Sequence, residues 1–589
     1  MVLRSTGFFV LACGLVGASC SVLFPGNDAP AAPTTTWTVH AVRVNTVGYV
    51  TLREKVATVV QRAGSPDLSG ATAEIFDMNN VPQWSCVLGA RTTDPDSGAD
   101  TYAADFTGFD VQGIFYLSVP SLGTDATAQS APFEVSDDVF RDALTRSMIG
   151  MYGQRCGTQV SITLGTDTWS HAACHLKDAY LTYLTGAATI SPSLGGWHDA
   201  GDYGKYVTNG AFSAGMLLAA FEHFGPTLST LALPIPETGA TATGGTAPLP
   251  DFLWEVKWEL DWLLTTQQPS GGVPHKLTAL AFEGFIMPDR DNSQRYFTGI
   301  GTAATADFVA VMAEAARVYR PYAPSDAAKY QAAALLGWSY LQQSAGPVIP
   351  ADNSDFGTGS YGQSSDVPNR IWAAAEIWAL NADGGALSYF ETNAKQVDVN
   401  FDWDNVENLG TFTYLLSAQT GRDPAVVAAL SVSLTSSADM LTATANAAAF
   451  GRDLSGYWWG SNGAVARTAM NLWVANLLAP NPAYLDTIAK SVDHLLGRNF
   501  YDRSQVTGLG YHPPLHPHHR PSAADTVFDP WPGLLVGGAN STSDVPAGSD
   551  VNWVDVQADD EVNEIAINWV AAFVYATAAL TPPSAPPSM

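Results

Sequence analysis

The sequence predicts a small all-β domain followed by a large all-α domain, and three observations support this fold class. Residues 37–137 hold short runs of alternating apolar and polar residues, broken by Gly, Pro, Asp and Asn about every 8–12 residues, a pattern typical of a β-sandwich. From about Val139 the apolar period becomes 3.6, and at least eleven later segments have this helical pattern. These segments show no solenoid-type repeat. They favour a toroid of helical hairpins with the loops on one face.

Composition excludes several classes of partner. The chain of 589 residues has 27 Lys and Arg against 56 Asp and Glu, a formal net charge of −29. This excess of negative charge repels nucleic acid and anionic membranes. The 17 Trp and the low charged fraction of 14% suit a protein that handles neutral polyols, although an aromatic core explains the same composition.

The N-terminus is predicted to be an export signal. Arg4 precedes an apolar run at residues 7–16, which is too short to span a membrane. Small residues at 17–20 fit a signal peptidase site or, alternatively, a lipoprotein site with lipid on Cys20. We therefore expect a secreted protein, or one tethered at the cell surface through that lipid.

The predicted organisation has five parts. They are a signal peptide at 1–20, a Pro/Thr-rich linker at 21–36, a β-sandwich at 37–137, a helical domain at 138–582 and a disordered tail at 583–589. The mature protein keeps Cys86, Cys156 and Cys174. This odd number argues against a disulfide framework and leaves open a metal site that uses two of them.

A first candidate site lies at residues 197–207 (WHDAGDYGKYV). Asp199 and Asp202 stand three residues apart in a Gly-rich turn before a helix predicted from about Ala211. They are close enough to act on one atom, so that one carboxylate can deprotonate a water that the other holds. An N-cap box or a cation-binding loop would explain the same pattern.

A second candidate lies at residues 504–520 (SQVTGLGYHPPLHPHHR), where four His and an Arg stand among prolines that prevent a helix. Metal binding and hydrogen bonding to sugar hydroxyls, or to a nearby carboxylate, both remain open for this loop.

A third candidate lies at residues 553–568 (WVDVQADDEVNEIAIN), an acidic segment predicted to open the last helix. Acidic residues there commonly complement the helix dipole. A Glu packed between Val562 and Ile565 would instead be partly desolvated, which raises its pKa as a general acid requires. An acid here and a base hundreds of residues away match the two carboxylates of glycoside hydrolysis.

These three segments resemble the signature blocks of glycoside hydrolase family 9, also called cellulase family E. The resemblance extends over about residues 140–582, and the preceding β region resembles the immunoglobulin-like module of one subgroup. It implies a mainly α protein. A small all-β immunoglobulin-like sandwich precedes an (α/α)6 barrel catalytic domain, and this barrel has an open cleft. The implied enzyme is a cellulase, an endo-β-1,4-glucanase acting on a polysaccharide or oligosaccharide, and we expect a monomer.

The resemblance also implies roles for individual residues. Asp202 matches the general base, Asp199 its partner in holding the nucleophilic water, and Glu564 the general acid. His518 and Arg520 match residues that bind sugar in the cleft. The family inverts the anomeric configuration, which requires the acid and the base about 6.5–9.5 Å apart.

Three alternatives to the endoglucanase remain open at this point. The first is an exo-acting enzyme of the same family, which would be a β-glucosidase, a cellobiohydrolase or an exo-β-glucosaminidase. The second is a non-catalytic glycan-binding protein. The third is a zinc hydrolase, which would need an open coordination position on its metal.

The resemblance further implies a structural zinc. The subgroup with the immunoglobulin-like module binds zinc at places matching Cys156, Cys174, His175 and His198, and four protein ligands leave no open position. The family also binds calcium through an acidic pair before a helix that here begins near Trp372. Pro368 and Asn369 stand at that place, which disfavours calcium there and leaves Asp366 and Asp402 as candidate ligands elsewhere.

The sequence departs from the family pattern at three positions, all outside the catalytic trio. His512 stands where Asn, Lys or Arg is usual, and Val570 replaces a usual Asn. Asp560 replaces an aromatic residue four positions before the acid. An aromatic at that position would wall the cleft or touch sugar, so we expect Asp560 to alter subsite preference.

Overall fold

The computed structural model describes residues 37–183, 188–543 and 551–583. The predicted signal peptide at 1–20, the linker at 21–36 and residues 584–589 of the predicted tail lie outside the described residues.

The N-terminal region is a two-sheet β-sandwich, as predicted. Its strands are β1 (Val42–Arg43), β2 (Gly48–Tyr49), β3 (Val56–Val60), β4 (Thr72–Asp77), β5 (Pro82–Val87), β6 (Thr92–Thr93), β7 (Asp100–Asp105), β8 (Gly113–Ser118) and β9 (Phe133–Val135). One sheet has the order β1-β3-β7-β6 and the other β2-β9-β8-β4-β5. Alternate residues of both sheets, such as Val59 and Ile75, are fully buried in one core.

The helical region forms an (α/α)6 barrel. Its inner helices are α2 (Val207–Leu228), α4 (Thr302–Tyr319), α6 (Val367–Asn381), α8 (Glu407–Leu416), α10 (Ser461–Leu478) and α14 (Ile567–Leu580). Its outer helices are α1 (Arg141–Gly153), α3 (Asp251–Thr266), α5 (Pro324–Gln343), α7 (Gly384–Asn393), α9 (Pro424–Ala447) and α11 (Pro482–Leu495). Two shorter helices, α12 (Arg520–Ala524) and α13 (Asp560–Asn563), lie in loops. The fold class predicted from the sequence is confirmed.

Small residues allow the inner helices to pack closely. Helix α4 packs between α2 and α6, and α14 packs between α2 and α10. A Cβ on Gly410 of α8 would lie 2.7 Å from the Cα of Trp372 in α6, so only glycine permits this approach. Asn408 of α8 donates a hydrogen bond to Asn471 of α10 (3.1 Å), which links the next pair of inner helices.

Short strands in the loops of the barrel complete the architecture. They are β10 (Val160–Leu164), β11 (Asp167–His171), β12 (Ala179–Leu181), β13 (Ala188–Pro192), β14 (Lys205–Tyr206), β15 (Val273–Pro274), β16 (Lys276–Ala279), β17 (Arg295–Phe297) and β18 (Ile300–Gly301). The sheet β14-β16-β17 stands directly before α2, and β14 fixes the chain that leads into that helix.

Two predicted helix boundaries differ in the structure. Helix α2 begins at Val207 rather than near Ala211. The last helix begins at Ile567, at the end of the acidic segment and after its acidic residues, because residues 564–566 pair as isolated β-bridges with three other segments.

Helix α9 is long and apolar enough to span a membrane by length and composition alone. Its buried residues recur every three or four positions, at Leu430, Leu434, Ala438 and Leu441, and it packs on α10 and α11. This pattern is that of an outer barrel helix with one face on the core.

A buried ion cluster joins the sandwich to the barrel. The carboxylate of Asp502 accepts hydrogen bonds from the backbone and ring nitrogens of His40 (both 2.7 Å) and lies 3.4 Å from Nη1 of Arg43. The side chain of Asp502 is 1% exposed and that of Arg43 is 7% exposed. Removing one member of a buried pair leaves the other charge without compensation.

We therefore expect Asp502→Ala to lower the free energy of unfolding by about 3–5 kcal/mol. Urea denaturation followed by tryptophan fluorescence measures this change. Asp142→Ala is the matched control, since it breaks an exposed ion pair with Arg146 within α1 (2.7 Å), and exposed pairs contribute little to stability. Equal losses in the two variants would refute a special role for the buried cluster.

Candidate active site

A cleft of about 500 Å³ opens at the N-terminal ends of the inner helices. Its walls come from the segments that precede α2, α8, α10 and α14. All five residues predicted for catalysis and sugar binding line it: Asp199, Asp202, His518, Arg520 and Glu564. The cleft is also lined by Asp560, one of the three residues that depart from the family pattern. Segments far apart in the sequence therefore meet in one open site.

A tight turn positions Asp202. The backbone N–H of Asp199 donates to the carbonyl of Gly204 (3.0 Å), which closes the turn. Oδ2 of Asp202 accepts hydrogen bonds from the N–H of Gly204 (2.9 Å) and the hydroxyl of Tyr206 (3.1 Å). A Cβ on Gly204 would lie 2.6 Å from that same Oδ2, so glycine is required here. Within the described part of the chain no hydrogen bond reaches Oδ1, which leaves this oxygen for water or substrate.

Both carboxylate oxygens of Asp199 are held. Oδ1 accepts from Nδ2 of Asn209 (2.7 Å), and Oδ2 accepts from the hydroxyl of Tyr361 (2.6 Å). Burial, followed by the negative charge of Asp202, raises the pKa of Asp199 to about 8, while the two hydrogen bonds act in the opposite direction. Asp199 is therefore fixed in orientation beside Asp202.

Glu564 lies in extended backbone between α13 and α14, not in the first turn of the last helix as the sequence suggested. It forms a parallel bridge with His518, and the next two residues bridge to Val536 and Ala200. Burial is the main cause that raises the pKa of Glu564 well above its usual range, and the nearby carboxylates add to it. The protonated form of this carboxyl group is therefore favoured.

Arg520 and His518 border the acid and the base. Nη1 of Arg520 donates to the carbonyl of Gly201 (2.7 Å), and its Nε lies 3.0 Å from Oε1 of Glu283. Nδ1 of His518 hydrogen-bonds the carbonyl of Gln557 (2.8 Å), which fixes that nitrogen as the donor. Burial and the charge of Arg520 lower the pKa of His518, so its ring faces the cleft uncharged.

The sequence did not reveal the loop that supports Asp199. The N–H of Gly359 donates to the hydroxyl of Tyr206 (3.1 Å), and the carbonyl of Gly359 accepts from Nζ of Lys276 (2.8 Å). The ring of His275 holds the carbonyl of Ser360 (2.8 Å). These contacts place Tyr361 against Asp199. In the sequence, Tyr361 is a lone tyrosine in the Gly/Ser-rich stretch FGTGSYGQSS. This stretch has neither a helical nor a strand period, so nothing in it indicated a role for Tyr361.

Aromatic side chains form part of the cleft wall. Trp459 lines the cleft together with Trp403 and Trp569. Trp531 does not, because it is 1% exposed in the core and its Nε1 donates to Asp525 (2.8 Å).

The four predicted zinc ligands come together beside the catalytic turn. One ligand atom from each of Cys156, Cys174, His175 and His198 lies within 4.8 Å of the other three. Nδ1 of His175 is 3.5 Å from Sγ of Cys156 and 3.4 Å from Nε2 of His198, which is 3.8 Å from Sγ of Cys174. Tetrahedral zinc with bonds of about 2.0–2.3 Å has ligand–ligand edges of this size. The donor set therefore fits zinc.

The predicted zinc ligands connect directly to the turn that carries Asp199 and Asp202. His198 immediately precedes Asp199, and its backbone N–H donates to the carbonyl of Gln154 (2.7 Å). The amide of Gln154 donates in turn to the carbonyl of Ala200 (2.9 Å). Nε2 of His175 pairs with Asp291 (3.2 Å), a carboxylate behind the ligand that fixes the ring.

Calcium stays a prediction. Asp366 pairs with Arg370 (2.8 Å) and Asp402 pairs with Arg467 (2.6 Å), so each candidate ligand already has a cationic partner. In the described ranges, the Cys/His group is the one cluster whose ligand atoms converge as a metal site requires.

Comparison with known proteins supports the resemblance. Residues 140–577 match the profile of glycosyl hydrolase family 9, and residues 38–124 match the cellulase N-terminal ig-like domain. The chain is 42% identical over 553 residues to Endoglucanase D of Acetivibrio thermocellus, which covers 91% of this chain and 83% of that protein.

Solved structures agree with this match. A metagenome-derived glycoside hydrolase family 9 endoglucanase has a TM-score of 0.83 at 33% identity, covering 92% of this chain and 98% of that one. A Zn-binding triple mutant of the family 9 endoglucanase J30 has a TM-score of 0.83 at 31% identity, covering 91% and 100%. The chain therefore belongs to glycosyl hydrolase family 9 and carries the immunoglobulin-like domain at its N-terminus.

Proposed function

We propose that the protein is a secreted endo-β-1,4-glucanase that cleaves cellulose or a related β-glucan with inversion, using Asp202 as base and Glu564 as acid. One observation carries this proposal: carboxyl groups from opposite ends of the catalytic domain meet in one open cleft, and burial raises the pKa of one of them, Glu564, well above its usual range. The match to Endoglucanase D supports the substrate class.

Asp202 is arranged to remove a proton from water. Its Oδ2 is held by Gly204 and Tyr206, so the carboxylate keeps one orientation, while Oδ1 accepts no hydrogen bond from the described part of the chain. Asp199, fixed by Asn209 and Tyr361, holds the same water from a second side. The water oxygen attacks C1 of the sugar as its proton passes to Asp202. Attack from the face opposite the leaving group inverts the anomeric centre.

Glu564 supplies the proton for the leaving group. Its raised pKa keeps the carboxyl protonated until the C1–O bond breaks, when the proton passes to the departing O4 of the neighbouring sugar. Solvent then reprotonates Glu564, and Asp202 loses its proton to solvent, which restores the starting state. Arg520 and His518 bind the sugar at the scissile bond, a role supported by their position beside both carboxylates.

Zinc bound by Cys156, Cys174, His175 and His198 is proposed to be structural. A bound ion would cross-link the segments that carry these residues beneath the catalytic turn. Four protein ligands close the coordination sphere, so the arrangement disfavours the zinc-hydrolase alternative. Export remains a proposal that rests on the apolar run at residues 7–16 and on the polymeric substrate, which is too large to enter a cell.

Glu564→Gln should lower kcat on a natural β-glucan by several orders of magnitude, because glutamine cannot supply the leaving-group proton. Reducing-end assays on cellulose or barley β-glucan measure this loss. Glu561→Gln, three residues earlier and outside the cleft lining, is the matched control and should stay within about twofold of the unmodified enzyme. Retention of activity within about tenfold by Glu564→Gln would remove the assignment.

The same variant should be more stable than the unmodified protein at alkaline pH. The folded state raises the pKa of Glu564, so the unfolded state loses this proton at a lower pH than the folded state does. The free energy of unfolding therefore falls as the pH rises from about 4.5 toward the pKa of the folded state. Glutamine does not titrate, so the gain in Tm should grow between pH 5 and pH 8. A lower Tm at pH 8 would instead show that the activity loss reflects a damaged fold.

Tyr361→Phe should lower kcat about 10–100-fold with little change in KM, since it removes one of two hydrogen bonds that orient Asp199. That bond favours the charged carboxylate, so its loss should move the acidic limb of the kcat profile to higher pH. Tyr116→Phe, which removes a surface hydrogen bond to Asn80 (2.8 Å), is the control. An unchanged pH profile for Tyr361→Phe would contradict the positioning role.

Cys174→Ser should reduce the zinc content and the Tm together, because binding energy at a structural site is folding energy. Elemental analysis of the purified protein and differential scanning calorimetry test this expectation. Cys86→Ser, a free cysteine of the sandwich outside the ligand group, should change neither quantity. If protein purified without chelators contains no zinc, the proposal of a structural zinc is wrong.

A further inference from the structure

A second cavity of about 300 Å³ lies away from the catalytic cleft. Its walls come from the later turns of α2, α4 and α8, together with α6, whereas the cleft lies at the N-terminal ends of the inner helices. The residues that matter for its chemistry are Glu222, Glu314, Arg317, Trp372, Glu376 and Phe412. Its volume is at the lower end of the range for small-molecule sites.

The single arginine of this cavity is already in use. Nη1 of Arg317 contacts the carboxylate of Glu222 (2.5 Å), and Nη2 contacts that of Glu376 (2.5 Å). The hydroxyl of Thr413 donates a further hydrogen bond to Glu376. Two carboxylates and one guanidinium are thereby paired among themselves.

Glu314 is left without a partner. It is 3% exposed, lines the cavity, and makes no hydrogen bond or ion pair with any residue in the described part of the chain. Burial and the negative charges of Glu376 and Glu222 raise the pKa of Glu314 well above its usual range, while the positive charge of Arg317 acts in the opposite direction. The ionised form of Glu314 therefore needs a further positive charge beside it. A cationic ligand in the cavity would provide the missing partner.

Aromatic side chains line the cavity together with this carboxylate. A Cβ on Gly215 would lie 2.5 Å from Cζ2 of Trp372 and 3.6 Å from Oε2 of Glu314, so glycine lets the ring and the carboxylate approach the same part of α2. Phe412 forms another wall. Aromatic faces attract cations, and helix C-termini carry partial negative charge, so the surroundings add to the attraction for positive charge.

The geometry also limits which cation can bind. In the described ranges, the carboxylate oxygens of Glu222, Glu314 and Glu376 do not converge into a metal-ligand set. A cavity of about 300 Å³ is also far larger than a bare ion. A neutral polyol would bring no charge to offset Glu314.

We propose that this cavity binds a small organic cation with a primary ammonium group, with Glu314 as its counter-ion and Trp372 and Phe412 as its walls. The proposal does not depend on the reaction in the catalytic cleft.

Ethylammonium chloride, titrated into the full-length, zinc-loaded protein in amine-free buffer, tests this site by ligand-observed NMR. Ethanol is the uncharged isostere, and sodium chloride controls for ionic strength. We expect saturable binding of ethylammonium with a Kd on the order of 1 mM and none of ethanol. Glu314→Gln should weaken binding at least about tenfold. Glu134→Gln, which removes an exposed carboxylate of the sandwich, should leave binding unchanged.

Ala219→Leu provides a second variant, because it fills the cavity from α2 without altering Glu314. It should abolish ethylammonium binding while hydrolysis of β-glucan continues at the unmodified rate. This keeps the test valid if Glu314→Gln fails to fold. Absence of saturable binding to the unmodified protein, or equal affinity in the cavity-filling variant, would overturn the proposal.

Discussion

Burial of carboxylates at the N-terminal ends of the inner helices is the constraint on which the catalytic site depends. Asp199 and Asp202 stand shortly before α2, and Glu564 stands shortly before α14. The helix termini and the backbone N–H of Gly204 favour negative charge, whereas burial and mutual repulsion disfavour it. Burial raises the pKa of Glu564 well above its usual range, which is the direction that its proposed role as general acid requires.

The rest of the site keeps this arrangement rigid. His198, a proposed zinc ligand, is the direct neighbour of Asp199, and Gln154 holds the backbone on both sides of Asp199. On the opposite side, Lys276 and His275 fix the loop that brings Tyr361 to Asp199. The catalytic turn is thus supported by a metal-ligand cluster on one side and by backbone-directed hydrogen bonds on the other, so its carboxylates need little reorganisation during the reaction.

The sequence predicted the elements whose signals are local. Asp199, Asp202, His518, Arg520 and Glu564 lie in dense, separated motifs, and the cleft brings all five together. The helical period predicted the helices, because inner and outer helices each bury at least one face, and the family resemblance implied their arrangement as an (α/α)6 barrel. Helix α7 was missed, since it is short and opens with two glycines that weaken the helical signal.

Features that depend on long-range contacts could not be predicted. Glu564 was expected in a helical turn, but bridges from His518, Val536 and Ala200 hold the neighbouring backbone extended. Tyr361 carries no motif and reaches Asp199 only because other segments fix its loop. In the sequence, Glu314 looks like an ordinary polar residue of a helix. Only the packed barrel shows that it is buried and that it makes no hydrogen bond or ion pair within the described part of the chain.

The most direct test of the account is the anomeric configuration of the first products. Cellohexaose cleavage, followed by proton NMR faster than mutarotation, reports this configuration at the new reducing ends. The account predicts early α-anomers, in products of mixed length, that vanish with Glu564→Gln. Early β-anomers would show retention and contradict the roles assigned to Asp202 and Glu564. Release of a single sugar or disaccharide from one chain end would instead contradict endo action.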